Sequence, residues 1–135
     1  MTIWHPEFHQ LFCDIVSGKE DSFRIDENEH FLAILDIAPV TKGHTLLLPK
    51  RTVLELTELS EEEVISLHRM IKTVSERISS RLPTVGISVL QNGGQCNSVS
   101  YLHIHIIPRF DTVSIWNDTM KDLTTLKDVH ANLRR

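Results

Sequence analysis

The chain is poor in cysteine. Cys13 and Cys96 are the only two in 135 residues, too few for a disulfide scaffold, and no CxxC pair offers a zinc knuckle. A reducing cytoplasm is therefore the expected compartment. No apolar run approaches the ~18–20 residues of a membrane helix, so no membrane partner is expected. The first ten residues, MTIWHPEFHQ, lack both the basic and the apolar region of a signal peptide. Positive charge is not in excess either. Fourteen Lys and Arg against 18 Asp and Glu leave a net charge of −4, which argues against nucleic acid as the main partner. A nucleotide-sized anion held in a local pocket is still compatible with that balance. Repeats, low-complexity stretches and linkers are missing too, so residues 1–135 read as one domain.

What is present suits a soluble globular protein: 41% hydrophobic and 24% charged residues. An N-terminal arm carries a short amphipathic turn over Phe8–Val16, stopped by Gly18. Ser22–Asp26 and Phe31–Asp36 read as the two strands of a hairpin, and His44–Pro49 as a third strand ended by proline. Ser60 before three glutamates is a helix start with a capping box to Glu63. Val64, Leu67, His68, Ile71, Val74 and Ile78 then recur at helical spacing to about Arg81, where Leu82-Pro83 breaks the pattern. Val85–Leu90 and Tyr101–Pro108 are the fourth and fifth strands, and residues 118–133 a C-terminal helix. Strands and helices do not alternate as repeated units, which predicts an α+β fold with an antiparallel sheet.

The eight histidines matter through two of them. In Tyr101-Leu102-His103-Ile104-His105 a strand places Tyr101, His103 and His105 on one face, roughly 6.6 Å between neighbours. Leu102, Ile104 and Ile106 face the core. Two adjacent imidazoles are costly if buried and unpaired, and make sense facing a polar ligand. The preceding loop, Asn92 to Ser98, is rich in glycine and amides, and offers N–H and hydroxyl donors to phosphate oxygens. Neutral imidazole attacks an electrophile without first losing a proton. A second, protonated ring steadies a phosphate or helps a leaving group depart. The pair suits phosphoryl or nucleotidyl transfer without a metal.

With this site in view, the chain resembles the histidine triad (HIT) superfamily of nucleotide hydrolases and transferases, named for His-φ-His-φ-His-φ-φ. The likeness runs from Leu11 to Arg109 through four segments: 11–18, 31–39, 43–50 and 97–109. It implies a five-stranded antiparallel sheet with one long helix, and a homodimer. It also implies roles: His103 as the nucleophile at the α-phosphorus and His105 as its phosphate-side partner, with His44 near the site. Asp36 falls on the acid that binds ribose hydroxyls, Asn92 and Ser98 on phosphate contacts, and Leu11, Phe12, Ile15 and Ile34 on the apolar slot for a base. The sequence departs from the pattern at Tyr101, which stands where the first histidine belongs, and at Asn97, which replaces a glutamine. Some bacterial relatives hold structural zinc on a CxxC pair with histidines. Gln10, Thr52 and Tyr101 occupy such positions here, so no metal and no other cofactor is expected.

Plainer readings stand beside these. His44 reads equally as a strand-end histidine bonded to a carbonyl, Asp36 as a turn anchor before Pro39, Asn92 and Ser98 as turn formers, and Leu11, Phe12 and Ile15 as ordinary core. The leading expectation is a hydrolase that cleaves a nucleoside phosphoramidate, an acyl-nucleotide or a dinucleoside polyphosphate and releases a purine mononucleotide. The competitors are a nucleotide-binding protein with little or no catalysis and a hydrolase using His44, His103 and His105 as metal ligands.

Overall fold

A computed structural model describes residues 6–114 and 122–134. Helix α1 (Pro6–Ser17) opens with proline, whose fixed φ suits a first helical turn. It is a full helix of 12 residues rather than the short turn expected. Gly18 ends it at φ +87°, a left-handed conformation natural to glycine. Strands β1 (Arg24–Glu27) and β2 (Phe31–Leu35) form the predicted hairpin. Its turn is built on Asn28, whose side-chain carbonyl accepts from the N–H groups of His30 and Phe31. Strand β3 (Thr45–Pro49) follows, then helix α2 (Glu61–Arg81), β4 (Gly86–Leu90), β5 (Ile104–Arg109) and α3 (Leu123–Leu133).

The five strands form one antiparallel sheet in the order β1-β2-β3-β5-β4, which with the helices is the α+β class predicted. Alternation gives the sheet two apolar faces. On one, Phe31, Ala33, Leu47, Ile104 and Ile106 pack under α2 through Leu67, Met70, Val74 and Ile78. On the other, Leu32, Ile34, Leu46, Leu48 and Tyr101 pack with Ile15, Leu11 and Phe12 of α1. The functional candidates lie on this second face.

Two details of α2 differ from the periodicity. Val64 and His68 are exposed, and the buried row starts instead at Glu63. That carboxylate completes the capping box with Ser60 and takes two hydrogen bonds from Arg51, at 2.8 and 3.1 Å. The guanidinium beside it holds its carboxyl down at about 2. An inward-turned acid is tolerated because it is paired and fully bonded. Leu126, Val129 and Leu133 of α3 are exposed and add nothing to the core. Residues 118–121 of the expected C-terminal helix lie outside the described residues. Among the described residues no helix is long and apolar enough to cross a membrane.

Candidate active site

Three local features bring the histidines together. First, register: His105 stands opposite Leu46 of β3, and Leu46 opposite Ile34 of β2, so their side chains share a face. Second, the loop from β2 to β3 folds tightly back. Asp36 N–H donates to the His44 carbonyl at 2.9 Å, and His44 N–H to the Thr41 carbonyl at 3.1 Å. Gly43 sits at φ +88°, a left-handed conformation that favours glycine, with Leu82 Cδ1 2.8 Å from where a Cβ would stand. Third, β5 begins later than predicted. Residues 101–103 leave the ladder, and Leu102 N–H bonds the Val53 carbonyl at 2.8 Å. His103 therefore precedes β5, yet its ring stays beside that of His105, with centroids 4.9 Å apart at 67°.

The hydrogen bonds fix the tautomers. A carbonyl only accepts, so His103 Nδ1–H donates to the Tyr101 carbonyl at 2.8 Å. In the neutral ring the lone pair then falls on Nε2. Val40 N–H donates to His44 Nδ1 at 3.0 Å, which leaves the His44 proton on Nε2. That Nε2–H donates to His105 Nδ1 at 2.9 Å. His105 consequently carries its own proton on Nε2. A backbone amide thus sets the protonation of a ring two residues from His103 through one intervening histidine.

Burial pushes His44 below the ordinary histidine value, with Asp36 opposing and His103 assisting. Burial also pushes His105 down to about 4, helped by His103 and His44 and opposed by Asp36. In the free protein His105 is thus a neutral N–H donor near pH 7. The cationic partner expected from the sequence is not its resting state. The expectation of a carbonyl partner for His44 is also replaced, since its ring bonds an amide and an imidazole.

A cavity of about 510 Å³ opens between α1 and the sheet, within the size range of small-ligand sites. His103 and His105 line it, although His103 is only 8% exposed. Leu11, Phe12, Ile15 and Ile34 form its apolar walls, and Asp36 lines it as well. Asp36 Oδ1 accepts from Ala38 N–H at 2.8 Å, while Oδ2 lies 3.7 Å from His44 Nε2. Eight of the ten predicted site residues therefore gather here, His44 through its bond to His105. Asn92 and Ser98 do not line the cavity. Their loop winds into a 3-10 turn over Gly94–Cys96, and the Gly94 N–H is taken by the Glu55 carboxylate at 3.0 Å. Leu46, Val99 and the segment Glu20–Ser22 also form the wall and were not singled out from the sequence. The register of Leu46 against Ile34 and His105 was the signal that finds the first.

Asp36, His44 and His105 each offer a ligand atom, all within 4.8 Å of one another. A metal there would need the lone pair on His44 Nε2. That nitrogen holds the proton as long as Nδ1 accepts from Val40, so the donor set does not fit an ion without losing that bond. His103 is outside the group, and the three-histidine set is not formed among the described residues.

Comparison with known proteins bears on this geometry. Residues 17–112 match the HIT domain. The chain belongs to the HIT family. It is 37% identical over 101 residues to the adenosine 5′-monophosphoramidase hnt1 of Schizosaccharomyces pombe, covering 73% of each chain. A crystal structure of a HIT-family member from Bacillus subtilis superposes with a TM-score of 0.77 at 31% identity, over 93% of this chain and 96% of the other. That of a histidine triad nucleotide-binding protein from Candida albicans gives 0.78 at 26% identity, over 92% and 94%. The matched HIT segment starts at residue 17, so nearly all of α1 lies outside it, although α1 supplies one wall of the cavity.

Proposed function

We propose that this HIT protein is a nucleotide hydrolase acting at the α-phosphorus of a nucleoside phosphoramidate, an acyl-nucleotide or a dinucleoside polyphosphate. The observation that carries the reading is the His103 Nδ1–H bond to the Tyr101 carbonyl, which in the neutral ring puts the lone pair on Nε2, in a residue on the wall of a nucleotide-sized cavity. In this reading the His103 Nε2 lone pair forms a bond to phosphorus, and the leaving group departs with its bonding pair. His105 Nε2–H donates to a phosphate oxygen. His105 stays the neutral Nε2–H donor that its bond from His44 fixes, and the leaving group takes its proton from water. Water then attacks phosphorus, the nitrogen–phosphorus bond breaks, and a nucleoside monophosphate leaves. Leu11, Phe12, Ile15 and Ile34 hold a purine and Asp36 the ribose hydroxyls. Asn92 and Ser98 have no assigned contact.

Tyr101 takes the place of the family's first histidine in this reading. Its hydroxyl donates to the Pro49 carbonyl at 2.6 Å and its ring is buried against Phe12. The side chain thus serves packing, and its backbone carbonyl serves His103. A second copy of the chain pairs along β4. The edge strand β1 carries Arg24, Asp26 and Glu27, charges that deter pairing, whereas β4 is Gly-Ile-Ser-Val-Leu with Val89 and Leu90 exposed.

The deciding experiment is His103→Ala with adenosine phosphoramidate as substrate. The variant is expected to bind AMP as the wild type does and to release none from substrate. Equal slow release by both proteins, with equal AMP affinity, would leave a binding protein with little catalysis.

A further inference from the structure

The hydroxyl of Ser22 is the buried side-chain polar atom left without a hydrogen-bond partner among the described residues. Such exceptions are few in folded proteins and call for an explanation. Ser22 forms part of the cavity wall together with the two residues before it, Glu20 and Asp21. Both acids are exposed, and neither carboxylate has a hydrogen bond or ion pair among the described residues.

The sheet register shows which end of the cavity they occupy. His105, Leu46, Ile34 and Arg24 lie in one row across β5, β3, β2 and β1. At about 4.8 Å per strand, β1 is some 14 Å from His105. Phe23, next to Ser22, continues this hairpin by accepting the Leu35 N–H at 2.9 Å. Glu20–Ser22 therefore close the end of the cavity away from the imidazoles. With an α-phosphate at the histidines and the ribose at Asp36, this is where the far edge of a base arrives. Among the described residues no lysine or arginine lines the cavity, and the nearby Arg24 guanidinium is committed to the Ile15 carbonyl at 2.8 Å.

We propose that Ser22, Glu20 and Asp21 read the polar edge of the base and favour guanine over adenine. This deepens the nucleotide-hydrolase reading above and rests on it. Guanine presents N1–H and N2–H side by side, two donors that fit the two oxygens of one carboxylate. Its adjacent O6 accepts from the Ser22 hydroxyl, which turns about χ1 into the cavity without breaking an existing hydrogen bond. Adenine offers one amino group flanked by ring nitrogens that a carboxylate repels. Hypoxanthine keeps N1–H and O6 but lacks the second donor.

The test is calorimetric titration of the wild type, Ser22→Ala, Glu20→Gln and Asp21→Asn with GMP, IMP and AMP. Wild-type affinity is expected to fall in the order GMP, IMP, AMP, with GMP about fivefold or more above AMP. At least one carboxylate variant collapses that ratio to about twofold or less, and Ser22→Ala narrows it. Ser22→Ala also unfolds no earlier than the wild type on heating, because the hydroxyl it loses was unpaired. Equal affinities for the three nucleotides in the wild type, or a ratio unchanged in all three variants, overturn the inference while leaving the hydrolase reading intact. Absence of binding to any of the three overturns both.

Discussion

Replacing His44 with alanine probes how the site sets its protons. His44 is 2% exposed and joins Val40 N–H to His105 Nδ1 through bonds of 3.0 and 2.9 Å. Without it, His105 Nδ1 has no donor, and the ring divides between two tautomers, only one of which presents Nε2–H to substrate. Losing one orienting hydrogen bond is worth ~0.5–1.5 kcal/mol, so kcat is expected to fall by about 2- to 12-fold with KM little changed. The buried group left unpaired costs stability as well, ~1–3 kcal/mol. The acid limb should move too. His105 is pushed down to about 4, with burial the largest cause and His103 and His44 next. Its lowered value means that the unfolded chain takes up the proton first. The stability tied to its neutral form is present above the ordinary 6.5 and is lost as pH falls through about 4. Removing His44 raises that folded value, and the acid limb of kcat/KM shifts upward from about pH 4. Nitrogen-15 chemical shifts of the histidine rings report the tautomer, and steady-state rates across pH report the limb. His44→Gln, which keeps an N–H donor, is expected to recover part of the loss. A His44→Ala protein with unchanged kcat, limb and His105 tautomer would refute the relay.

Three further outcomes are expected. Tyr101→Phe strands the Pro49 carbonyl and lowers stability by ~1–3 kcal/mol on thermal unfolding, with turnover unchanged. Asp36→Asn weakens AMP binding about tenfold and leaves binding of the 2′,3′-dideoxy analogue as it was, since only the ribose contact is lost. Val89→Glu puts charge on the exposed β4 edge, and light scattering should show a wild-type dimer becoming a monomer.

Much of the fold was readable because local signals agreed. Ser60 and Glu63 announced α2, and both strands of the first hairpin appeared near their predicted places. The buried face of α2 was harder. Periodicity assigned Val64 and His68 to it, but the inward turn went to Glu63 once Arg51, twelve residues earlier, was there to pair with it. A partner so placed has no local signature. In the site, the shared face of Tyr101, His103 and His105 followed from strand alternation and held even though residues 101–103 lie outside β5. The pairing of His44 with His105 spans 61 positions and depends on the Gly43 turn. Sequence position alone gave no reason to expect it. In the glycine and amide loop, read from the sequence as a source of phosphate donors, the Gly94 amide is bonded to Glu55, an acid 39 positions away that no local signal points to.

The central claim is that His103 forms a bond to phosphorus. Intact-protein and peptide mass spectrometry after incubation with adenosine phosphoramidate and an acid-free quench tests it directly. An AMP adduct on His103 in the wild type, missing from His103→Ala, is the predicted result. Turnover with no adduct on that residue, under conditions that trap one in an active HIT relative, would contradict it.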